Sequence, residues 1–165
     1  MKHNSISRIL ATVTPMLIVC IVLALGATAA AEDPIEGSWL LVITPPAGAG
    51  SPFSAIGSFA AGGVFVATGE NDRAVFPVSE VHGNWQRIGG NRYGSTQYLF
   101  AFDSTGHPVG MLRNQWIGQL TGKNELGGPG VVSVCDIHGE NCIVQPGLGS
   151  ITGKRMIATD ALPVQ

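Results

Sequence analysis

The chain has few charged residues. Of its 165 residues only 12% are Asp, Glu, Lys or Arg, and the formal net charge is −2. Proteins that bind nucleic acid or an acidic membrane surface through electrostatics carry clustered Lys and Arg. The composition therefore argues against both kinds of partner.

Recognisable catalytic motifs are also missing. The sequence contains no G-x-S-x-G, no H-E-x-x-H, no P-loop and no dinucleotide fingerprint. We therefore expect no cofactor and no metal site, and the sequence leaves open whether the protein is an enzyme.

The N-terminal segment has the three parts of a secretory signal peptide. Lys2 and Arg8 supply a positive start, 16–25 is an apolar run, and two A-x-A cleavage patterns fall in 27–31. We therefore predict a signal peptide over 1–31, an exported (periplasmic or secreted) mature chain and a single domain over 32–165. The alternative is an uncleaved anchor, because the segment is long enough to cross a bilayer; contact with a membrane is expected only through it.

Glycine is abundant, with 23 residues, and it punctuates eight short runs rich in Val, Ile, Phe, Tyr and Thr. The predicted strands are A 36–44, B 53–60, C 63–68, D 82–88, E 94–103, F 107–120, G 126–137 and H 141–153. Long connections before B and D alternate with tight, glycine-rich ones before C, E and G. This alternation predicts an all-β, antiparallel up-and-down eight-stranded barrel with one open and one closed end.

Two turns set the expected register. The sequence 103–106 resembles a type I turn with Gly at its last position, which would place residue 102 opposite 108 and residue 100 opposite 110. A hairpin loop at 138–139 would place Cys135 opposite Cys142. Directly opposed residues lie about 4.5–5.5 Å apart at Cα, within disulfide range, and an even cysteine pair in an exported domain favours that bond.

With side chains alternating between faces, this register predicts which residues point into the barrel. They are Thr96, Tyr98 and Phe100 on E, Leu112, Asn114 and Trp116 on F, Val134 on G and Gln145 on H. Polar groups among aromatic and aliphatic ones are typical of a ligand cavity. The alternative is a set of buried polar groups that satisfy one another.

Gly37-Ser38-Trp39 opens the first strand, and Gly153-Lys154-Arg155 ends the last. In this respect the chain resembles the calycin superfamily, above all the lipocalins. The resemblance implies that Trp39 crosses the closed end of the barrel and that Arg155 packs over it. The very short turns and the lack of a clear C-terminal helix differ from lipocalins, so the allene-oxide-cyclase or dirigent type of barrel is the alternative.

The lipocalin resemblance implies that the barrel binds a small apolar or amphipathic ligand. Tyr98, Asn114 and Gln145 would orient it against an apolar wall. Two alternatives stay open: a cofactor-free cyclase or isomerase that uses the cavity, and a periplasmic protease inhibitor or interaction protein that acts through its rim loops. The oligomeric state is left open.

Histidines and carboxylates collect at the predicted rim of the open end. The rim candidates for acid–base chemistry or metal binding are His82, Asp103, His107, Asp136 and His138. Their spacing matches no metal motif, and rim turns are ordinary places for polar residues.

Overall fold

The computed structural model describes residues 33–70 and 77–158. The predicted signal peptide lies outside the described residues. Within them the chain forms nine strands and no helix, so no described helix could cross a membrane. The strands are β1 Gly37–Thr44, β2 Phe53–Ala60, β3 Val64–Gly69, β4 Val81–Gly89, β5 Arg92–Phe102, β6 Pro108–Gly122, β7 Glu125–Cys135, β8 Ile143–Val144 and β9 Gly149–Arg155.

Eight of these strands close an antiparallel barrel, as predicted. Each strand from β1 to β7 pairs with the next, β7 pairs with β9, and β9 pairs with β1. Gly153 shows the closure, since it lies opposite Leu41 on β1 and Leu126 on β7. Closure pairs each of the eight barrel strands on both sides, whereas β8 pairs only with β7.

The predicted last strand is divided in two. β8 pairs with the end of β7, and β9 pairs with its beginning, while residues 146–148 bend away between them. Gly147, with φ 89°, lies in this bend, and a side chain there would contact Pro46. The bend therefore lies against the proline-rich loop 45–52 at the same end of the barrel.

The predicted disulfide joins Cys135 and Cys142, whose Cα atoms are 4.0 Å apart. The register of the hairpin around it is also as predicted, with Val134 opposite Ile143. The turn itself is longer than the expected two residues, because the Asp136 N–H donates to the Glu140 carbonyl.

The register between β5 and β6 was predicted wrongly. Phe102 lies opposite Pro108 as expected, but Val109 has no partner in the ladder, and Ala101 rather than Phe100 lies opposite Gly110. Such a β-bulge adds one residue to one strand and moves all later pairs by one. Every residue of β5 before the bulge therefore points to the face opposite the predicted one.

Candidate functional site

The two ends of the barrel differ, and the strand directions define them. The loop 45–52, the described residues 77–80 before β4 and the turns at 103–107 and 136–142 share one end, which we call the mouth. The tight turns after β2, β4 and β6 share the other end, which we call the floor. Residues 33–36 lie at the floor, just before β1.

The floor is filled by aromatic side chains. Trp39 and Tyr93 are fully buried, and the Phe59 ring centroid lies 4.7 Å from that of Phe65 and 6.3 Å from that of Trp116. Ile35, immediately before β1, is also fully buried, and its carbonyl accepts the Trp39 indole N–H at 2.9 Å. This half of the barrel is therefore a packed core.

Arg155 packs over the Trp39 ring at the floor. Its guanidinium carbon lies 4.4 Å from the centre of the Trp39 ring, in cation–π geometry, and the guanidinium donates to the carbonyls of Pro34 and Glu36. The last strand therefore holds the segment that precedes the first. These are the two residues that the lipocalin resemblance paired.

Tyr93 connects the same segment to β5. Its hydroxyl donates to Asp33 Oδ1 at 2.7 Å, and Arg87 Nη1 lies 3.8 Å from Asp33 Oδ2. Burial of the ring, followed by the hydrogen bond and negative charge of Asp33, raises the pKa of Tyr93 to about 12. The tyrosine is therefore held neutral at the floor.

Inward-facing side chains become more exposed toward the mouth. On β7, Leu126 near the floor is 3% exposed, whereas Val134 near the mouth is 46% exposed, although pairing through Leu112 puts it on the inner face. Ile143, opposite Val134 on β8, is 71% exposed. Apolar side chains on the inner face of the mouth are therefore open to solvent.

A polar pair separates the aromatic floor from the apolar mouth. Gln97 on β5 lies directly opposite Asn114 on β6, facing the interior. Gln97 is 5% exposed, and its Nε2 donates to Ser95 Oγ at 3.1 Å. The next inward row toward the mouth consists of Leu99, Leu112 and Val134.

Three residues predicted to line the cavity lie on the other face. Thr96, Tyr98 and Phe100 alternate with the buried Tyr93, Ser95, Gln97 and Leu99, so they point outward. Tyr98 lies in an outer-face row between His82 and Arg113, and Phe100 is 40% exposed. The prediction of their facing is wrong because of the bulge at Val109.

The remaining predicted lining residues are on the inner face. Leu112, Asn114 and Trp116 alternate inward on β6, and Trp116 belongs to the aromatic floor, where its indole N–H donates to the Gly128 carbonyl at 3.2 Å. Gln145 continues the ladder after β8, its N–H donating to the Val132 carbonyl at 2.8 Å.

The rim carboxylates hold two similar turns. Asp103 Oδ1 accepts the N–H groups of Thr105 and His107, and Asp136 Oδ1 accepts those of His138 and Glu140. A glycine with positive φ, Gly106 in one turn and Gly139 in the other, completes each. In both aspartates hydrogen bonds lower the pKa, led by the Thr105 hydroxyl at Asp103 and by the Glu140 N–H at Asp136.

Several of the rim candidates hold these turns together. His107 Nδ1 lies 2.8 Å from the Thr105 hydroxyl, so it belongs to the turn of Asp103. His82 lies apart, on the outer face of β4 opposite Val66 and Tyr98. In the part of the chain that the structure describes, no three His, Cys, Asp or Glu residues are grouped so as to hold a metal ion.

Sequence reasoning missed Ser95 and Gln97, because it placed them outside. The irregular register of β6 could have been predicted from Pro108. Proline lacks the N–H that a ladder needs and is found in sheets mainly at edges, strand starts and bulges. A proline two residues after a tight turn therefore argues for an irregular register in β6.

Comparison of the chain with models of known protein families, with curated proteins and with solved structures finds no match.

Proposed function

We propose that this protein is an exported barrel of the calycin type that holds a small apolar or amphipathic molecule in the mouth half of its interior. The proposal of export is supported by the signal-like N-terminus and by the Cys135–Cys142 disulfide, a bond that forms in oxidising compartments. The proposal of calycin type is supported by the closed eight-stranded barrel and by the stacking of Arg155 on Trp39.

The observation that carries the proposal of ligand binding is the contrast between the two halves. Aromatic rings fill the floor, whereas the inward side chains Leu112, Val134 and Ile143 stay partly or largely exposed at the mouth. Exposed apolar surface on a concave face is stabilised when an apolar ligand covers it. The interior of an eight-stranded barrel either fills with side chains or holds one small ligand, and the exposed side chains of the mouth half favour the second use here.

A fluorescent apolar probe tests the proposal. The native chain should bind it, and Val134→Trp, which fills the mouth from the inner face, should weaken binding at least about tenfold, equivalent to about 1.4 kcal/mol. Val144→Trp is the matched control, because Val144 is 57% exposed on the outer face of the same hairpin. Absence of probe binding in the native chain, or equal effects of both substitutions, would contradict the proposal.

A second candidate is a protease inhibitor or other interaction protein that acts through the rim. The observation that favours it is exposed apolar surface on rim segments: Val109 is 62% exposed and Leu148 is 67% exposed. Val109→Asp and Leu148→Asp should abolish such an activity against secreted proteases while leaving probe binding unchanged. If these variants weaken probe binding instead, these rim residues belong to the mouth site.

The cyclase or isomerase alternative would use the same cavity. The described strands place no Asp, Glu, His or Lys side chain on the inner face of the mouth half. Acid–base catalysis needs such a group within reach of the reacting atom. A cyclase or isomerase would therefore have to take its acid–base group from the rim turns, where Asp103 and Asp136 lie.

A further inference from the structure

We infer that the mouth selects uncharged ligands that carry an amide head group, through the paired carboxamides of Gln97 and Asn114. This inference rests on the proposed ligand site and specifies what the site recognises. On the described inner face, these are the two side-chain carboxamides that lie directly across from each other.

The orientation of the Gln97 amide follows from its neighbours. The Asn84 carbonyl can only accept, so the Ser95 hydroxyl uses its single proton on it, at 2.9 Å. Ser95 Oγ must then accept from the Gln97 side chain, which requires the amide nitrogen Nε2 rather than the oxygen. The carbonyl oxygen Oε1 of Gln97 is left as an acceptor.

Asn114 supplies the complementary groups. The hydrogen bonds between described residues include none to the Asn114 carboxamide and none to Gln97 Oε1. Asn114 is partly exposed on the inner face, with the aliphatic row of Leu99 and Leu112 on its mouth side. A ligand that descends between these leucines would therefore meet a free acceptor and a free amide side by side.

A head group that fits this pair must both donate and accept. An amide does so, since its N–H can donate to Gln97 Oε1 while its carbonyl accepts from Asn114 Nδ2. A carboxylate only accepts, and it would face the Gln97 oxygen without a proton to offer. On the described strands, charged side chains on the inner face occur only at the floor, at Arg87 and Arg155, so a buried carboxylate in the mouth would also lack a counter-ion.

Isothermal titration with decanamide and decanoate at neutral pH tests the inference. The two probes share an apolar chain and differ in the head group. The native protein should bind decanamide at least about tenfold more tightly than decanoate, which corresponds to about 1.4 kcal/mol. Asn114→Leu should remove most of that preference. Gln115→Leu should keep it, because Gln115 is the exposed neighbour on the outer face.

The outcomes separate the inference from the proposed function. Equal affinity for both probes in the native chain, with binding lost in Val134→Trp, would overturn the amide preference and leave the ligand site intact. Binding of neither probe would overturn both. A lower melting temperature of Asn114→Leu than of Gln115→Leu would show that Asn114 serves the fold, and would also overturn the inference.

Discussion

At the residue scale, Gly118 shows how tightly the floor is packed. A Cβ atom at this position would overlap the Trp116 indole and approach the Gly127 carbonyl, so Gly118→Ala must displace the ring. Overpacking of this kind costs about 1–3 kcal/mol. Gly127→Ala is the matched control, because its Cβ would lie 3.6 Å from the Ile151 carbonyl oxygen, an ordinary contact. Urea denaturation should show the loss in Gly118→Ala alone, and equal losses would contradict the packing described.

Tyr93 should make the stability of the floor depend on alkaline pH. Its pKa rises from the ordinary 10.0 to about 12 in the folded chain, first because of burial and then because of Asp33. A raised folded pKa means that the contribution of the neutral phenol is fully present below the unfolded pKa and is lost as the pH rises from 10.0 to about 12. We expect the free energy of unfolding to fall across this window.

Tyr93→Phe tests this expectation, because it keeps the ring and removes the titrating hydroxyl. The variant should be less stable at neutral pH, where the bond to Asp33 is lost, but it should lack the native alkaline slope. Chemical denaturation at several alkaline pH values measures both effects. A slope of the native size in the variant would assign the pH dependence to other groups.

At the scale of elements, the two rim turns are held by their aspartates. The Thr105 hydroxyl is the largest cause that lowers the pKa of Asp103, so Thr105→Val should raise that pKa toward its usual 3.8. Asp136, in the second turn, should not change and is the internal control. Because the folded pKa of Asp103 is lowered, its carboxylate stabilises the folded turn fully at pH values above the ordinary pKa. This stabilisation is lost as the pH falls through the lowered pKa. Titration of the side-chain carboxyl carbons by NMR measures both residues; an unchanged Asp103 would contradict the prediction.

The β7–β8 hairpin depends on its disulfide for closure. β8 has only two residues, so its ladder to β7 is short. Because the closed loop is small, the double variant Cys135→Ser/Cys142→Ser should lose at most about 3 kcal/mol in the free energy of unfolding. The mature chain should show no free thiol when titrated denatured and unreduced. Two free thiols would contradict both the bond and the exported compartment.

At the scale of the whole molecule, Trp39 and Arg155 join the first and last strands of the barrel. Trp39 is fully buried, and the Arg155 guanidinium stacks on its ring. Trp39→Ala should therefore lower the free energy of unfolding by about 3–5 kcal/mol, as large core deletions do. Lys154→Ala, at the exposed neighbouring position on the outer face, should cost little. A loss below about 1 kcal/mol for Trp39→Ala in chemical denaturation would show that the floor does not depend on this pair.

The sequence alone determined the architecture and one hairpin. Except for the last strand, which is divided into β8 and β9, strand boundaries could be predicted to within a few residues. Glycine and proline interrupt short β-prone runs, and loop lengths alternate as an up-and-down barrel requires. The pair Cys135–Cys142 could be predicted because a local turn and a local cysteine spacing agree. These signals depend on neighbours in the chain, which the sequence displays directly.

Only the tertiary structure decided which side chains of β5 face the interior. Val109 has no partner on β5, and this shifts the register by one residue. Because side chains alternate with period two, the shift turns Ser95 and Gln97 inward in place of Thr96 and Tyr98. Both faces of β5 carry polar and apolar residues, so periodicity could not choose between them. The choice came from packing: Tyr93 and Leu99 are buried on the face that Trp116 completes from the next strand, and this long-range fit placed Gln97 opposite Asn114.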